Sequence, residues 1–190
     1  MSELLDFSID NKIKVLYDTL PDIWIDSYRE MTSYETNVIK FSDNDFEFLF
    51  DFTSELEDNL GSVKGINDDR VVVAYGKSKP RIDKRDANRM AGFLGQSTKV
   101  FKKNYDKGHY IGHSLGGGLD VNLFPQRKDI NRGISLRGKI FRKMETYCSK
   151  NIGTFCFTRP IYNDSSWYPS FIEYGILKSD GYLWVEIFEN

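Results

Sequence analysis

The sequence predicts an α+β fold, in which helices pack against a mixed or antiparallel sheet. Leu5, Ile9, Ile13, Leu16 and Leu20 recur at steps of three or four residues, the spacing of one helical face. The C-terminal part instead carries three runs rich in β-branched and aromatic residues, separated by polar turns. A chain in which helices and strands occupy separate stretches packs its helices against the faces of a sheet.

The N-terminal third is predicted to be acidic and mainly helical. Residues 3–32 indicate one or two helices with a boundary at Pro21, and residues 46–56 form a further amphipathic segment. The polar, turn-rich residues 61–70 follow. We therefore predict an acidic extension over residues 1–65 and a second unit over residues 66–190.

The second unit is predicted to alternate between strands and helices. Helices are expected over residues 83–94 and 135–150, the second with Ile140, Phe141, Met144 and Tyr147 on one face. Predicted strands or extended segments cover residues 70–75, 99–103, 122–126, 154–162, 171–178 and 182–188.

The charged residues are strongly segregated, although the net charge of the chain is only −2. Residues 1–70 carry 17 acidic and 6 basic side chains, whereas residues 71–150 carry 6 acidic and 18 basic ones. This asymmetry favours a polyanion-binding region beside an acidic extension. The extension would serve as a partner-binding or delivery segment, or as a screen over a basic cleft. The alternative is two solvated surfaces that neutralise each other in the fold.

Membrane insertion and ordinary secretion are not indicated by the sequence. No apolar run approaches the roughly 20 residues of a membrane span. The first ten residues carry three acids and no basic side chain, unlike a secretory signal. We therefore expect a cytoplasmic protein without a membrane partner, or one delivered to another cell by a specialised secretion route. Cys148 and Cys156 are expected to be reduced.

The stretch from Asp106 to Gly118 is the strongest candidate for a chemical site. It contains both histidines of the chain, His109 and His113, and three consecutive glycines. Residues 112–116 also fit the G-x-S-x-G pattern of a serine hydrolase. That interpretation is disfavoured because no histidine follows Ser114, whereas the base of such an enzyme follows its serine.

A zinc site is a second interpretation of the same stretch. His109 and His113 are four residues apart, and Cys148 and Cys156 would complete a set of four ligands. The surrounding glycines argue against a helix that would align the histidines, and the cysteine spacing matches no usual zinc motif.

A metal-assisted nuclease is the third and favoured interpretation. Hydrolysis of a phosphodiester needs a base for water and a cation for the charge that develops on phosphate. A neutral histidine suits the base, and asparagine oxygens suit magnesium. Asn122 and Asn131 follow the glycines, nine residues apart, and the basic segment would hold the polyanion.

Four short motifs resemble those of the DNA/RNA non-specific endonucleases, a family with the ββα-metal fold. Residues 106–109, Asp-Lys-Gly-His, resemble its D-R-G-H motif, and residues 122–126 resemble its N-x-x-P-Q. Residues 130–133 resemble L-N-x-G, and residues 142–145 resemble the W-R-x-x-E region. The order is that of the family, and the pattern is more similar to its bacterial branch, often found in toxin-type nucleases.

The resemblance implies roles for five residues. His109 would be the general base, and Asn131 the protein ligand of Mg²⁺, for which Mn²⁺ would substitute. Asn122 would support the histidine and the metal site, and Glu145 would hold a water molecule of that site. Lys107 replaces the arginine of the family motif, and as a point charge it would meet phosphate without a bidentate contact.

The implied activity is cleavage of DNA and/or RNA without sequence preference. The candidate phosphate contacts are basic residues that follow the glycines: Lys128, Arg132, Arg137 and Arg142. Phosphate contacts position a nucleic acid without reading its sequence. An immunity or inhibitor protein is the expected protein partner of a toxin-type nuclease. The alternative is a non-catalytic nucleic-acid-binding protein on a degenerate nuclease scaffold.

Overall fold

The protein has an α+β fold with antiparallel strands, as the sequence predicts. The computed structural model describes residues 8–32, 35–52, 69–81 and 103–190. The helices in these ranges are α1 (Ile9–Met31), α2 (Lys128–Asn131) and α3 (Leu136–Lys150). The strands are β1 (Val38–Asp43), β2 (Phe46–Asp51), β3 (Arg70–Lys77), β4 (Tyr105–His109), β5 (Leu123–Arg127), β6 (Phe155–Ile161), β7 (Phe171–Leu177) and β8 (Leu183–Glu189).

Within the described residues, six strands form one antiparallel sheet in the order β1-β2-β3-β6-β7-β8. The strands β4 and β5 form a separate antiparallel pair, in which His109 lies opposite Leu123. Helices α2 and α3 follow this pair directly in the chain. The unit β4-β5-α3 therefore has the ββα order.

One face of the large sheet is covered by α1. Ile13, Trp24 and Tyr28 on this helix are at most 5% exposed, and they belong to one apolar cluster with Tyr75 of β3 and Phe157 of β6. The Trp24 ring lies 5.3 Å from that of Tyr75 and 4.9 Å from that of Phe157, which is contact distance for aromatic pairs. This burial anchors α1 to the sheet.

The opposite face of the sheet carries the ββα unit. Phe141, Met144 and Cys148 point from α3 into a second cluster that includes Tyr174 of β7 and Phe124 of β5. The Phe141 ring lies 5.1 Å from the Tyr174 ring. The molecule is thus layered, with α1 on one side of the sheet and the ββα unit on the other.

The N-terminal helix is longer and less interrupted than the sequence predicts. The expected boundary at Pro21 is absent, because α1 runs from Ile9 to Met31 with Pro21 inside it. A proline inside a helix removes a backbone hydrogen bond and destabilises it. Ile13 before the proline and Trp24 after it are both buried on the sheet, and this packing holds the two halves in one helix.

Residues 38–43 and 46–51 are strands that belong to the sheet, so within the described part of residues 1–65 the predicted mainly helical character applies to α1 alone. Phe46, Phe48 and Phe50 alternate with polar or smaller residues, which is the period of a strand. The strands β1 and β2 precede the predicted boundary at residue 65, and β2 pairs with β3, which follows it. The two stretches therefore share one sheet, while residue 65 itself lies outside the described residues.

The predicted elements of the second unit that fall within the described residues are found, with shifts of one or two residues at their ends. Ser135 caps α3 by accepting a hydrogen bond from the Gly138 amide at 3.0 Å. The helix predicted over residues 83–94 and most of the strand predicted over 99–103 fall outside the described residues. Among the helices that the structure describes, none is long and apolar enough to cross a membrane.

Candidate active site

A polar cleft of about 290 Å³ lies where three parts of the chain meet. These are β4, helix α3 and the loop of residues 110–118, called the glycine loop below. Among the described residues, six parts of the chain line it. They contribute Arg81 after β3, His109 of β4, Gly112, His113 and Ser114 of the following loop, Gln126 of β5, Asn131 of α2, and Arg142 and Glu145 of α3. Four residues proposed from the sequence, His109, Asn131, Arg142 and Glu145, are therefore brought together by the fold.

His109 is the last residue of β4, and it is 8% exposed. Its backbone is fixed in register opposite Leu123 by the β4–β5 ladder. The side chain therefore meets the cleft from a rigid strand end, with little access to bulk solvent. An imidazole placed in this way can accept a proton from a group bound in the cleft.

Asn122 clamps the loop that follows His109. Its side-chain oxygen accepts a hydrogen bond from the Ile111 amide at 2.8 Å, and its Nδ2 donates to the carbonyl oxygens of Ile111 and Gly118, both at 2.9 Å. Its own carbonyl accepts from the Tyr110 amide at 2.9 Å. Asn122 is fully buried and does not line the cleft. It acts on the site by fixing the backbone on both sides of the glycine loop.

The glycine loop folds tightly against this clamp. A Cβ atom on Gly117 would lie 1.9 Å from the Ile111 carbonyl oxygen, so the backbone can approach only because a side chain is missing. Gly116 has a φ of +92°, which favours glycine. On its outer side, the loop is tied to the sheet because the Lys79 amide donates to the Leu115 carbonyl at 2.8 Å.

Glu145 reaches the cleft from the third turn of α3, with a side chain that is 15% exposed. A Cβ on Gly112 would lie 2.7 Å from the Glu145 Oε1, so this carboxylate sits directly against the loop after His109. Its other oxygen accepts a hydrogen bond from Arg142 at 3.0 Å. Burial raises the pKa of the Glu145 carboxyl, and Arg142 offsets only part of that rise.

Asn131 lies at the edge of the cleft, beside a charged pair. The Asp106 carboxylate accepts two hydrogen bonds from Arg132, at 2.6 and 2.8 Å, and a longer one at 3.4 Å from the Asn131 Nδ2. Burial raises the pKa of Asp106, but the bonds from Arg132 and Asn131 outweigh it and leave the pKa below its ordinary value. Because the amide nitrogen of Asn131 faces Asp106, its oxygen is the atom left for a ligand in the cleft.

Four other proposed residues lie outside the set that lines the cleft. Arg132 is held by Asp106, and Arg137 donates to the Ile187 carbonyl at 2.7 Å and pairs with Glu186 at 2.9 Å. Lys128 donates to the Lys103 carbonyl. Lys107 is half-buried, and burial lowers its pKa. Of the four proposed phosphate contacts, Arg142 is the one that lines the cleft, with a side chain that is 58% exposed.

The cleft also contains three residues that have no role in the predicted nuclease site: Arg81, His113 and Gln126. The Nε2 atoms of His113 and Gln126 are buried, and neither has a hydrogen-bond partner within the described residues. Gln126 belongs to the N-x-x-P-Q stretch, which was a signal for it. Arg81 is one of many basic residues in its segment, and its position after β3 distinguishes it only in the fold.

The two disfavoured chemistries gain no support from the geometry. Ser114 is exposed and lies in a short 3₁₀ turn, His113–Leu115, where a nucleophile elbow would need a strand leading into a helix. Cys148 and Cys156 are free and buried. No group of three histidine, cysteine, aspartate or glutamate side chains that could hold a metal occurs in the described parts of the chain.

Comparison with solved structures gives distant likenesses. The structure is similar to that of the Sda1 nuclease with a bound zinc ion, at a TM-score of 0.39 and 14% sequence identity, over 86% of this chain and 81% of that chain. No protein-family model matches the sequence, and no curated protein matches it. The likeness is too distant to assign an activity.

Proposed function

We propose that this protein is a metal-dependent endonuclease that hydrolyses phosphodiester bonds in DNA and/or RNA without sequence preference. The observation that carries the proposal is the convergence of His109, Asn131, Arg142 and Glu145 on one polar cleft. A proton acceptor, an amide oxygen, a cation and a carboxylate are the groups that metal-assisted phosphodiester hydrolysis uses. The order of the motifs around these residues supports the same activity.

In this proposal His109 accepts the proton of the attacking water. Asn122 keeps the imidazole in place through the backbone of residues 110–118, which it binds at both ends. Arg142 and Arg81 contact the phosphate and neutralise part of its charge. Lys107 and the basic residues outside the cleft, Lys128, Arg132 and Arg137, serve at most as contacts to more distant phosphates.

The oxygen donors of the cleft fit a hard cation, and its histidines form no metal-holding group of three with other His, Cys, Asp or Glu side chains among the described residues. Asn131 and Glu145 bring an amide oxygen and a carboxylate to the cleft, and magnesium binds through few protein oxygens while it keeps several waters. We therefore propose Mg²⁺, with Mn²⁺ as a substitute, held by Asn131 with Glu145 orienting a water beside it. When bound, the cation supplies charge neutralisation at the phosphate.

The test is cleavage of plasmid DNA and of RNA by purified protein, with magnesium, with manganese, with zinc and with EDTA. Cleavage with magnesium that is abolished by EDTA is expected, together with a loss of at least about 100-fold for His109→Ala, since a general base contributes about 10²–10⁴-fold. His113→Ala is the matched control, because it removes the other imidazole of the cleft. Full activity of His109→Ala would refute the assignment of the base.

A non-catalytic nucleic-acid-binding protein is the alternative, and Lys107 in place of arginine favours it. Such a protein would bind DNA or RNA in a gel-shift assay, and it would leave both uncut under every metal condition. An immunity or inhibitor protein that covers the cleft belongs to the nuclease proposal, since an uncontrolled non-specific nuclease would damage the cell that makes it.

A further inference from the structure

A second groove, of about 450 Å³, lies beside the cleft on α3 and on the strands β7 and β8. Lys143, Tyr147 and Lys150 line it from α3 at steps of three or four residues, so they share one face of the helix. Lys178, Tyr182 and Trp184 line it from the β7–β8 hairpin. Arg142 and Glu145 lie on the adjoining face of the same helix, so the groove and the cleft are neighbours.

The groove is basic. Lys178 pairs with Asp180 at 2.9 Å and is partly neutralised by it. Lys143 and Lys150 are exposed, and neither forms an ion pair with a carboxylate of the described residues. The Lys143 Nζ lies 5.8 Å from the centre of the Trp184 ring, so a cation and an aromatic face are presented together.

The aromatic rings of the groove are held in place by their polar ends. The Tyr147 hydroxyl lies 3.1 Å from the Ser179 Oγ and accepts a hydrogen bond from the Ser179 amide at 2.9 Å, and the Trp184 Nε1 donates to Glu186 at 3.0 Å. Tyr182 differs, since it is 60% exposed, and the Lys178 Nζ lies 5.5 Å from the centre of its ring. Fixed rings beside one exposed ring and two lysines form a stacking platform with phosphate-binding cations.

We propose that this groove binds single-stranded nucleic acid, with a base stacked on Tyr182 and the backbone on Lys143 and Lys150. A single strand is the ligand that fits, because the bases of a duplex are already stacked and cannot cover an exposed ring. The inference goes beyond cleavage in the cleft, and it rests on the proposed function only in that the ligand is a nucleic acid. The groove would hold a strand whose neighbouring phosphate enters the cleft past Arg142.

The test is fluorescence anisotropy of labelled (dT)12 with the full chain, in EDTA, over a range of salt concentrations. Lys143→Glu/Lys150→Glu is expected to weaken binding at least about tenfold at low salt, and to reduce the slope of log K against log salt by about 1.4, or 0.7 per lost phosphate contact. The matched control is Lys14→Glu/Lys77→Glu, which changes the charge equally at exposed positions outside the groove.

Stacking is tested separately at Tyr182. Tyr182→Phe keeps the ring and is expected to bind (dT)12 like the wild type, whereas Tyr182→Leu is expected to lose at least about fivefold, within the range for a base–aromatic contact. The affinity for a 12-base-pair duplex should be unchanged in both variants. Equal affinities for the groove and control double variants, or for Tyr182→Leu and the wild type, would overturn the proposal.

The outcome is independent of catalysis. Cleavage with magnesium by the wild type tests the nuclease proposal, whereas the binding experiments contain EDTA and an oligonucleotide whose integrity is checked on a denaturing gel. If the wild type cleaves nucleic acid and the groove variants bind (dT)12 like the wild type, only the groove proposal is refuted. If those variants bind (dT)12 more weakly and the wild type cleaves neither DNA nor RNA, the nuclease proposal is refuted and the groove proposal is supported.

Discussion

The Glu145 carboxyl is largely buried in the cleft, and this burial makes its charged form unfavourable for the stability of the fold. A carboxyl whose pKa is raised by folding leaves the protein more stable below the ordinary pKa of glutamate, and this stability is lost as the pH rises through the raised value. The ionised form of this carboxyl therefore carries a desolvation penalty in the folded protein. A residue retained at such a cost suits a site that uses its charge.

Glu145→Gln is expected to separate activity from stability. Cleavage should fall about 10- to 100-fold, the usual effect of losing a group that orients a metal site. The free energy of unfolding, measured by urea denaturation, should rise relative to the wild type between pH 4 and pH 8, because the amide carries no charge to desolvate. Glu30→Gln, at an exposed position of α1, should alter neither quantity. Wild-type cleavage by Glu145→Gln would contradict the role.

Asn122 acts on the site through the backbone, so its loss should appear in stability as well as in rate. Asn122→Ala leaves the buried Ile111 amide and the carbonyls of Ile111 and Gly118 without this partner, and should cost about 3 kcal/mol. The measurement is urea unfolding beside cleavage kinetics. Asn163→Ala, at an exposed position between β6 and β7, is the control for asparagine removal. A loss below about 1 kcal/mol would show that the clamp is not needed to hold the loop.

At the scale of single elements, local sequence determined what could be foreseen. The helix α3 and the strands β5 to β8 were predictable because their apolar periods and their turn residues agree with the final packing. The helix boundary predicted at Pro21 is wrong, because burial of α1 on the sheet outweighs the local effect of the proline. The sequence predicts residues 46–56 only as an amphipathic segment of a mainly helical extension, because acids between aromatics over so short a stretch do not separate the helical period from that of a strand.

The candidate site was foreseeable in part for the same reason. His109 and the two asparagines stand in short motifs with fixed spacing, so they could be selected from the sequence. Gln126 stands in the same N-x-x-P-Q motif as Asn122, whereas Arg81 enters the cleft by tertiary placement alone. The ion pairs that engage Arg132 and Arg137, with Asp106 and Glu186, join residues far apart in the chain. A local pattern contains no information on such pairs.

The helix α3 depends on its N-cap to present Arg142 and Glu145. Ser135→Ala removes the acceptor of the Gly138 amide and should destabilise the protein by about 1 kcal/mol, the usual value for an N-cap serine. Urea unfolding measures this, with an unchanged dependence on denaturant concentration. Ser135→Thr keeps both the capping oxygen and the hydroxyl that bonds the Asp129 carboxylate, and should restore the loss. Destabilisation by both variants alike would mean that Ser135 acts through packing.

At the scale of the whole molecule, the layered fold bears on how the acidic N-terminal part can act. Removal of residues 1–65 would strip α1, β1 and β2, and would expose β3 as an edge strand together with the apolar face under α1. The activity of such a truncated protein would therefore not measure the effect of the acidic charge on the cleft. Substitution of exposed carboxylates on α1 keeps the layers and changes the charge alone.

The acidic face of α1 is expected not to screen the cleft. The helix packs on the sheet face opposite the ββα unit, and two packed layers of about 10 Å each exceed the Debye length of about 8 Å at physiological salt. The variant Asp18→Asn/Asp22→Asn/Asp26→Asn/Glu30→Gln should therefore cleave DNA at 0.15 M salt within about twofold of the wild type. A screen would instead give a several-fold gain at low salt that vanishes at high salt. That result would mean that the acidic charge acts across the sheet, and the cleft could then be regulated by whatever binds α1.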